Sequence, residues 1–309
     1  MDAVTGIQYE LTAETPAGPA RAVVTEVAAG LRVYTVNGQD VAEPYAADVQ
    51  RPKGCGAILV PWPNRVRDGR WQYQGETLQL ALTEPAKGNA IHGLLRYAPY
   101  RQTARTDSSI TLSATVFPQL GYPFHLDTSV SYDLGADGLA VTHHVHNVGA
   151  TDAPVAIGAH PYLRIGDVPT SDLTLTVAAA THIDVDDQSD PVGESSVVGT
   201  GYDLRAGRRV GELDLDDGFA DVTVRDGLVQ HHLAADDGRR VTLWGDENMR
   251  FVQVFTPRNF PGMDGTTRQA VAIEPMTAPA DALNSGIGLR WLAPDETWTV
   301  SWGIRADGF

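Results

Sequence analysis

The chain has 309 residues, 42% of them hydrophobic, and it carries a formal net charge of −16. This length and apolar content suffice for a large hydrophobic core. The acidic balance disfavours nucleic acids and anionic membrane surfaces as partners, because both require a basic footprint. Cys55 is the only cysteine, so an intramolecular disulfide and the usual cysteine-based zinc sites are excluded.

The sequence shows no targeting or membrane signal. No stretch approaches the roughly 18 apolar residues that span a bilayer, and the first residues lack the basic start and apolar run of a secretion signal. We therefore predict a cytoplasmic protein. Nothing marks a linker or an internal repeat, and the most polar stretch, 184–201, is typical of an exposed loop. We predict a single domain over residues 1–309.

Alternation of apolar and polar residues with a period of two dominates the chain, as in residues 139–146. Short turns rich in glycine, asparagine and aspartate separate such segments, and two of them predict hairpins over residues 126–147 and 228–243. Helical candidates are short, at 281–285 and 117–122. The pattern predicts an all-β fold, a large antiparallel sandwich or barrel.

Two apolar runs end at an ionisable residue that is followed by a proline. His160 ends the run from residue 155, and Glu274 ends the run from residue 270. Because proline cannot donate to a sheet ladder, both residues are expected where a strand leaves its sheet. An imidazole and a carboxylate on rigid elements can form an acid–base pair. The alternatives are a histidine bonded to the backbone and a glutamate paired with an arginine.

Other polar and aromatic residues accompany these two. Asn64 and Arg65 offer forked donors suited to sugar hydroxyls or carboxylates, although a solvated turn is the alternative. His92 precedes a glycine that would allow close approach of a ligand. Tyr162 could form one wall of a pocket, and Trp62 could provide a stacking platform for a sugar ring.

Metal sites find little support in the sequence. The acidic residues around Asp216 do not match the spacing of an EF-hand loop. His144 and His146 would share one face of a strand, but no third ligand is evident, so a half-solvated strand face is favoured. The same interpretation applies to the pair His231 and His232. We predict no metal.

The candidate segments, read in order, resemble the aldose 1-epimerase (mutarotase) family. Each motif alone is weak, but six in order span residues 54 to 304. The motifs are Pro63-Asn64-Arg65 with Asp68-Gly69, Ile91-His92-Gly93, Gly158-x-His160-Pro161-Tyr162, Asp216-x-x-Phe219, Ile273-Glu274-Pro275, and the tail Asn284-Ser285-Gly286 with 292–297.

The resemblance implies a galactose mutarotase-like β-sandwich whose large antiparallel sheet cups a sugar. It implies that His160 is the general acid and Glu274 the general base, with no metal or organic cofactor. It also implies sugar-contacting roles for Arg65, His92 and Asp216. Asp216 fits the family pattern better than Asp217 because it stands three positions before Phe219.

These assignments imply interconversion of the α and β anomers of a hexose. Glu274 would take the anomeric proton while His160 protonates the ring oxygen; the open aldehyde then rotates and recloses. His160 should be protonated at rest, since a nearby carboxylate raises the pKa of an imidazole. We expect a bell-shaped pH profile, against which a flat profile between pH 5 and 9 would count.

Several alternatives remain at this point. An unphosphorylated hexose is favoured, but a sulfonated or phosphorylated sugar could bind if Arg67, Arg96 and Arg164 supplied a cationic pocket. A non-catalytic carbohydrate-binding protein would not need both His160 and Glu274. A glycoside hydrolase would need two carboxylates flanking the bond, for which Asp216 could join Glu274.

Overall fold

The computed structural model describes residues 3–309. Most of the regular structure is β, and the first fifteen strands are β1 (Gln8–Thr15), β2 (Gly18–Thr25), β3 (Leu31–Val36), β4 (Gln39–Asp40), β5 (Ile58–Leu59), β6 (Arg65–Val66), β7 (Arg70–Tyr73), β8 (Glu76–Gln79), β9 (Ala90–Ile91), β10 (Arg101–Arg105), β11 (Ser109–Val116), β12 (Leu126–Gly135), β13 (Gly138–Asn147), β14 (Ala153–Val155) and β15 (Gly158–Ala159). The remaining strands are β16 (Tyr162–Leu163), β17 (Thr174–Val177), β18 (Ala179–Val185), β19 (Pro191–Ser196), β20 (Arg208–Arg209), β21 (Asp216–Val222), β22 (Val224–Arg225), β23 (Leu228–Ala234), β24 (Arg240–Asp246), β25 (Phe251–Phe255), β26 (Phe260–Pro261), β27 (Thr267–Arg268), β28 (Val271–Met276), β29 (Arg290–Leu292) and β30 (Thr297–Asp307).

Helical structure in residues 3–309 is sparse. One short α-helix, α1, covers Ala282–Ser285, inside the predicted range 281–285. Four 3₁₀ turns cover Pro52–Gly54, Arg67–Gly69, Thr170–Asp172 and Val210–Glu212. None of the helices in this part of the chain is long and apolar enough to cross a membrane.

The helix predicted over residues 117–122 is wrong. Gln119 and Tyr122 instead form an isolated antiparallel bridge that closes a turn. Pro123 disfavours the helical conformation for the residue before it, which explains why the segment turns.

The predicted all-β antiparallel architecture is confirmed. A ten-stranded sheet has the order β10-β11-β12-β13-β30-β24-β23-β17-β20, with β22 also on β23. An eight-stranded sheet has the order β19-β18-β21-β25-β28-β15-β5, with β16 also on β28. One core cluster takes side chains from both, including Val141 and Val300 from the first and Val254 and Ile273 from the second. The two sheets therefore pack face to face as a sandwich.

The two predicted hairpins are present. β12 and β13 pair from Leu126 with Asn147 to Gly135 with Gly138, within the predicted bounds. β23 and β24 form the second hairpin, which continues to Asp246, three residues beyond the prediction.

Two expectations for individual segments are wrong. Residues 184–201 are not only loop, because they contain β19, which pairs with β18. Backbone pairing does not require apolar side chains, so a polar edge strand escapes the hydrophobic pattern. Trp62 is not a sugar platform, since it lies in the main core with 2% of its surface exposed and packs against Tyr122.

Asp190, between β18 and β19, is a buried carboxylate at a cost to stability. Neither of its oxygens has a hydrogen-bond partner among the described residues, and Arg67 Nε lies 3.9 Å away. Burial raises the pKa of Asp190 from 3.8 to about 6. Since the folded protein binds this proton more tightly than the unfolded chain does, stability falls as the pH rises from about 4 to about 6.

We therefore expect Asp190→Asn to stabilise the protein by roughly 1–2 kcal/mol at pH 8 and to have little effect near pH 4. Urea unfolding at both pH values measures the difference. Asp187→Asn, at an exposed aspartate three residues earlier, is the matched control and should be neutral at both. Destabilisation by Asp190→Asn at pH 8 would contradict this account.

Candidate active site

The register of the eight-stranded sheet gathers four side chains on one face. Glu274 on β28 lies directly opposite Gln253 on β25, and Phe255 on β25 lies opposite Asp216 on β21. Alternate residues of a strand share a face, so Gln253 and Phe255 project to the same side. Their neighbours, such as Val254, point into the core instead. All four line a cleft of about 440 Å³.

His160 enters the same cleft from the break between β15 and β16. Both short strands pair with β28, on either side of Glu274. The backbone of His160 is fixed by two hydrogen bonds, from its N–H to the Ala57 carbonyl and from the Gly56 N–H to its carbonyl. Gly54 leaves room for the ring, because a Cβ on Gly54 would lie 2.8 Å from His160 Cδ2.

His160 and Glu274 form a close and buried pair. His160 Nε2 lies 3.4 Å from Glu274 Oε1, and their side chains are 6% and 3% exposed. His160 Nδ1 and Glu274 Oε2 have no hydrogen-bond partner in the described part of the chain. The residues predicted to act together are therefore adjacent.

Burial dominates the proton affinities of the pair. It lowers the pKa of His160 to about 4, although the negative charge of Asp216 opposes this shift. It raises the pKa of Glu274 well above its usual value, and Asp216 adds to that shift. The expectation that His160 is protonated at rest is therefore wrong, because desolvation outweighs the attraction of the nearby carboxylate. Burial thus favours the neutral form of both groups.

Arg65 is held by two carboxylates. Its guanidinium binds Glu84 through two hydrogen bonds of 2.8 and 3.0 Å and reaches Asp216 Oδ2 at 3.3 Å. These contacts raise the pKa of the Arg65 side chain despite its burial, so the arginine is a permanent cation. The bidentate geometry fixes the plane of its remaining donors.

A chain of amide contacts connects Asn64 to Asp216. Asn64 Nδ2 donates to Gln253 Oε1 at 3.0 Å, and Gln253 Nε2 donates to Asp216 Oδ1 at 2.9 Å. Asn64 is buried and has a positive φ of 55°, a conformation that asparagine tolerates better than most residues. The orientation of Asp216 is thus set from two sides, by an amide and by a guanidinium.

His92 lies edge-on to His160, with ring centroids 5.4 Å apart. The Asn64 backbone N–H donates to His92 Nδ1 at 3.2 Å, so Nδ1 is an acceptor and Nε2 carries the proton. Burial lowers the pKa of His92 well below its usual value, so the ring is neutral. It can therefore donate one hydrogen bond through Nε2.

His92, His160 and Glu274 also bring three potential metal-ligand atoms within 4.8 Å of one another. A metal ligand needs an unprotonated nitrogen. The bond from the Asn64 N–H keeps the lone pair of His92 on Nδ1, which turns the protonated Nε2 towards the group. This tautomer suits a hydroxyl-bearing ligand better than a metal ion.

Tyr162 lies behind the site and does not line the cleft. Its ring stacks on His160 with centroids 5.2 Å apart and packs against Phe260 on the other side. Its hydroxyl donates to the Lys53 carbonyl at 3.2 Å, and the side chain is fully buried. The prediction that Tyr162 contacts the substrate is therefore wrong; it supports the His160 ring.

Asp216 and Asp217 face opposite sides of β21. Asp216 lines the cleft, whereas Asp217 accepts a hydrogen bond of 2.8 Å from His182 Nε2. His182 Nδ1 lies 2.8 Å from Asp184, and the ring stacks on Tyr202. Asp217 Oδ2 also accepts the Asp216 backbone N–H at 3.0 Å, so this cluster supports Asp216 from beneath.

Of the three arginines considered for a cationic pocket, one lines the cleft and two do not. Arg96 lines the cleft. Arg67 binds Asp186, and Arg164 binds the buried Glu43, and neither lines the cleft.

Sequence reasoning missed several cleft residues. Glu84 and Gln253 belong to no sequence motif. Their place in the cleft is shown only by their contacts with predicted residues, Glu84 with Arg65 and Gln253 with Glu274 across the sheet. Lys53 and Lys87 were detectable, because they are the only lysines in the chain, and both line the cleft.

The fold is shared with several solved structures. A GalM/aldose epimerase homologue from C. elegans superposes with a TM-score of 0.82, at 18% identity, over 96% of this chain and 99% of that one. The galactose 1-epimerase from Lactobacillus acidophilus NCFM superposes with a TM-score of 0.74, at 20% identity, over 95% and 93%. The architecture is therefore that of the galactose mutarotase-like proteins.

Sequence comparison gives the family. The family model described as aldose 1-epimerase matches residues 12–305, and the chain belongs to the aldose 1-epimerase family. The uncharacterized protein YihR of Escherichia coli K12 is 31% identical over 279 residues, 90% of this chain and 87% of the relative. The maltose epimerase of Levilactobacillus brevis is 25% identical over 242 residues, 71% and 69% of the two chains. Family membership implies a sugar as the substrate.

Proposed function

We propose that the protein is a mutarotase that interconverts the α and β anomers of an aldohexose by opening and reclosing the ring. The observation that carries this proposal is the buried pair of His160 Nε2 and Glu274 Oε1, 3.4 Å apart. Ring opening removes a proton from the anomeric hydroxyl and adds one to the ring oxygen. A pair that holds one proton between two groups can do both.

Glu274 acts as base and His160 as acid during ring opening. Burial favours the neutral pair, with the proton on Glu274. Sugar hydroxyls that donate to Glu274 favour its ionised form, so sugar binding can move the proton across 3.4 Å to His160. Ring opening returns the pair to its neutral form, and reclosure on the other face reverses the steps.

The surrounding groups orient the sugar. Arg65, Asp216 and Asn64 present fixed donors and acceptors along one wall, and His92 Nε2 presents a donor beside His160. Such preorganised contacts lower the entropy cost of aligning the ring with the pair. No step requires an organic cofactor.

Activity should depend on pH through the pair as a unit. Burial lowers the pKa of His160 to about 4. Below about pH 4 both His160 and Glu274 are therefore protonated, and neither can accept the anomeric proton. On the alkaline side the acid is lost when the pH exceeds the raised pKa of Glu274. The profile of kcat/KM should therefore be a broad bell with its acid limb near pH 4. An acid limb near 6.5 would contradict the desolvated pair.

Polarimetry of freshly dissolved α-glucose, α-galactose and charged hexoses tests the proposed function. We expect at least one aldose to equilibrate much faster with the protein than with buffer. A protein that binds these sugars without accelerating any of them would instead be a non-catalytic carbohydrate-binding protein.

A glycoside hydrolase would need a second carboxylate beside Glu274, and the contacts of Asp216 disfavour that role. Asp216 is engaged by Arg65 and Gln253, and the group next to Glu274 is an imidazole. Aryl glycosides provide the check, since release of phenol would contradict the mutarotase proposal.

A further inference from the structure

Basic residues are concentrated in the cleft. The chain contains only two lysines, Lys53 and Lys87, and both line the cleft together with Arg51 and Arg96. We call these four residues the cationic rim. With Arg65 they make five basic residues lining the cleft, against three acidic ones, although the whole chain carries a formal charge of −16.

The rim cations lack carboxylate partners. Within residues 3–309, no acidic side chain lies within 4 Å of any of them; Arg65, by contrast, has both Glu84 and Asp216. Their hydrogen bonds go to backbone carbonyls: Lys87 donates to Asp187 and Arg96 to Thr83. None of the four rim cations therefore has a direct ion pair within this part of the protein.

Two rim arginines are also crowded around one aromatic ring. The guanidinium carbons of Arg51 and Arg96 lie 5.9 and 5.0 Å from the centroid of Tyr97, whose side chain is largely exposed. Burial lowers the pKa of Arg96; Tyr97 and Glu84 oppose this shift, and the charge of Arg51 adds to it. Two neighbouring cations without a direct ion pair are stabilised when an anion binds between them.

The three acidic residues of the cleft do not form ion pairs with the rim cations. Glu84 and Asp216 are bound to Arg65, and Glu274 is buried beside His160. The cleft thus separates into two regions, an acid–base pair with its sugar-orienting wall and a rim with excess positive charge.

We infer that the cationic rim is a subsite for an anionic substituent (a sulfonate, phosphate or carboxylate) carried by the sugar away from its anomeric carbon. This inference rests on the proposed function, and it replaces the expectation of an uncharged hexose. Arginine and lysine side chains with free N–H groups are the usual partners of such oxyanions.

The experiment compares kcat/KM for glucose, glucose 6-phosphate, glucuronate and 6-deoxy-6-sulfoglucose at low ionic strength. We expect at least one anionic sugar to exceed glucose by about tenfold or more, and the preferred one identifies the oxyanion. Added salt should reduce that preference, because the Debye length is only about 10 Å at 0.1 M ionic strength. Glucose should show little dependence on salt.

Variants locate the effect. In Lys53→Gln/Arg96→Gln, the ratio of kcat/KM for the preferred anionic sugar to that for glucose should fall about tenfold or more. Arg225→Gln, which removes an exposed arginine of β22 outside the cleft, should leave the ratio unchanged. Turnover of glucose at least as fast as of every anionic sugar, with no change of ratio in the rim variant, overturns the subsite and leaves the mutarotase proposal standing. Failure to accelerate any of the four sugars or α-galactose overturns both.

Discussion

Glu274→Gln is expected to reduce kcat for mutarotation by roughly 10²–10⁴-fold without destabilising the fold. The amide keeps the shape of the side chain but can neither accept nor deliver the proton, and a positioned acid–base group contributes about that factor. Glu274 Oε2 is buried without a partner, and burial raises the pKa of Glu274. A neutral amide at this position therefore resembles the neutral carboxyl that burial favours. Polarimetry gives kcat, and urea unfolding gives stability.

Glu43→Gln is the matched control for this substitution. Glu43 is an equally buried glutamate, but it is paired with Arg164 and Arg268 outside the cleft. Loss of its charge leaves Arg268 without a carboxylate partner and Arg164 with only Asp40, 4.0 Å away, and should cost on the order of 1–3 kcal/mol of stability, with little effect on kcat. Glu274→Gln should show the opposite pattern. A stable Glu274→Gln protein with wild-type kcat would exclude Glu274 from the chemistry.

His160→Asn is expected to lower kcat by a similar factor, roughly 10²–10⁴-fold. Asparagine cannot exchange a proton with the ring oxygen. It also removes a ring that stacks on Tyr162 and contacts His92, so a stability loss of about 1–3 kcal/mol should accompany the change. The activity is therefore measured well below the midpoint of thermal unfolding.

His143→Asn separates these two effects. His143 is another fully buried imidazole, on β13 of the ten-stranded sheet, where it accepts a hydrogen bond of 2.8 Å from Trp302 Nε1 and does not line the cleft. We expect a comparable loss of stability from this variant and a kcat close to that of the wild type. If both histidine variants lost activity equally, the effect of His160→Asn would be one of stability alone.

The sequence predicted which two ionisable residues lie together better than it predicted the residues around them. Proline after His160 marked the end of β15, but the same expectation for Glu274 is wrong, because Glu274 and Pro275 both lie inside β28, paired with β25. Both side chains nevertheless lie side by side in the cleft. Their distance depends on the pairing of β15 and β16 with β28, which links residues more than a hundred positions apart. Local patterns do not contain that pairing.

Aromatic residues were harder to assign from the sequence. Trp62 and Tyr162 stand beside motif residues, yet one packs into the core and the other supports His160 from behind. An aromatic ring near a site has the same sequence signature whether it faces a ligand or the interior. The direction of the His160 pKa shift was likewise wrong from sequence, since burial outweighs the attraction of Asp216.

The most direct test of the acid–base pair is polarimetry of an accepted α-aldose with four proteins: the wild type, Glu274→Gln, His160→Asn and the double variant. Groups that pass one proton as a unit have strongly non-additive effects on kcat. We predict rapid equilibration by the wild type alone and a double variant within a few-fold of the slower single variant. Independent effects, with the double variant slower by the product of the two single losses, or wild-type rates in either single variant, would contradict the account.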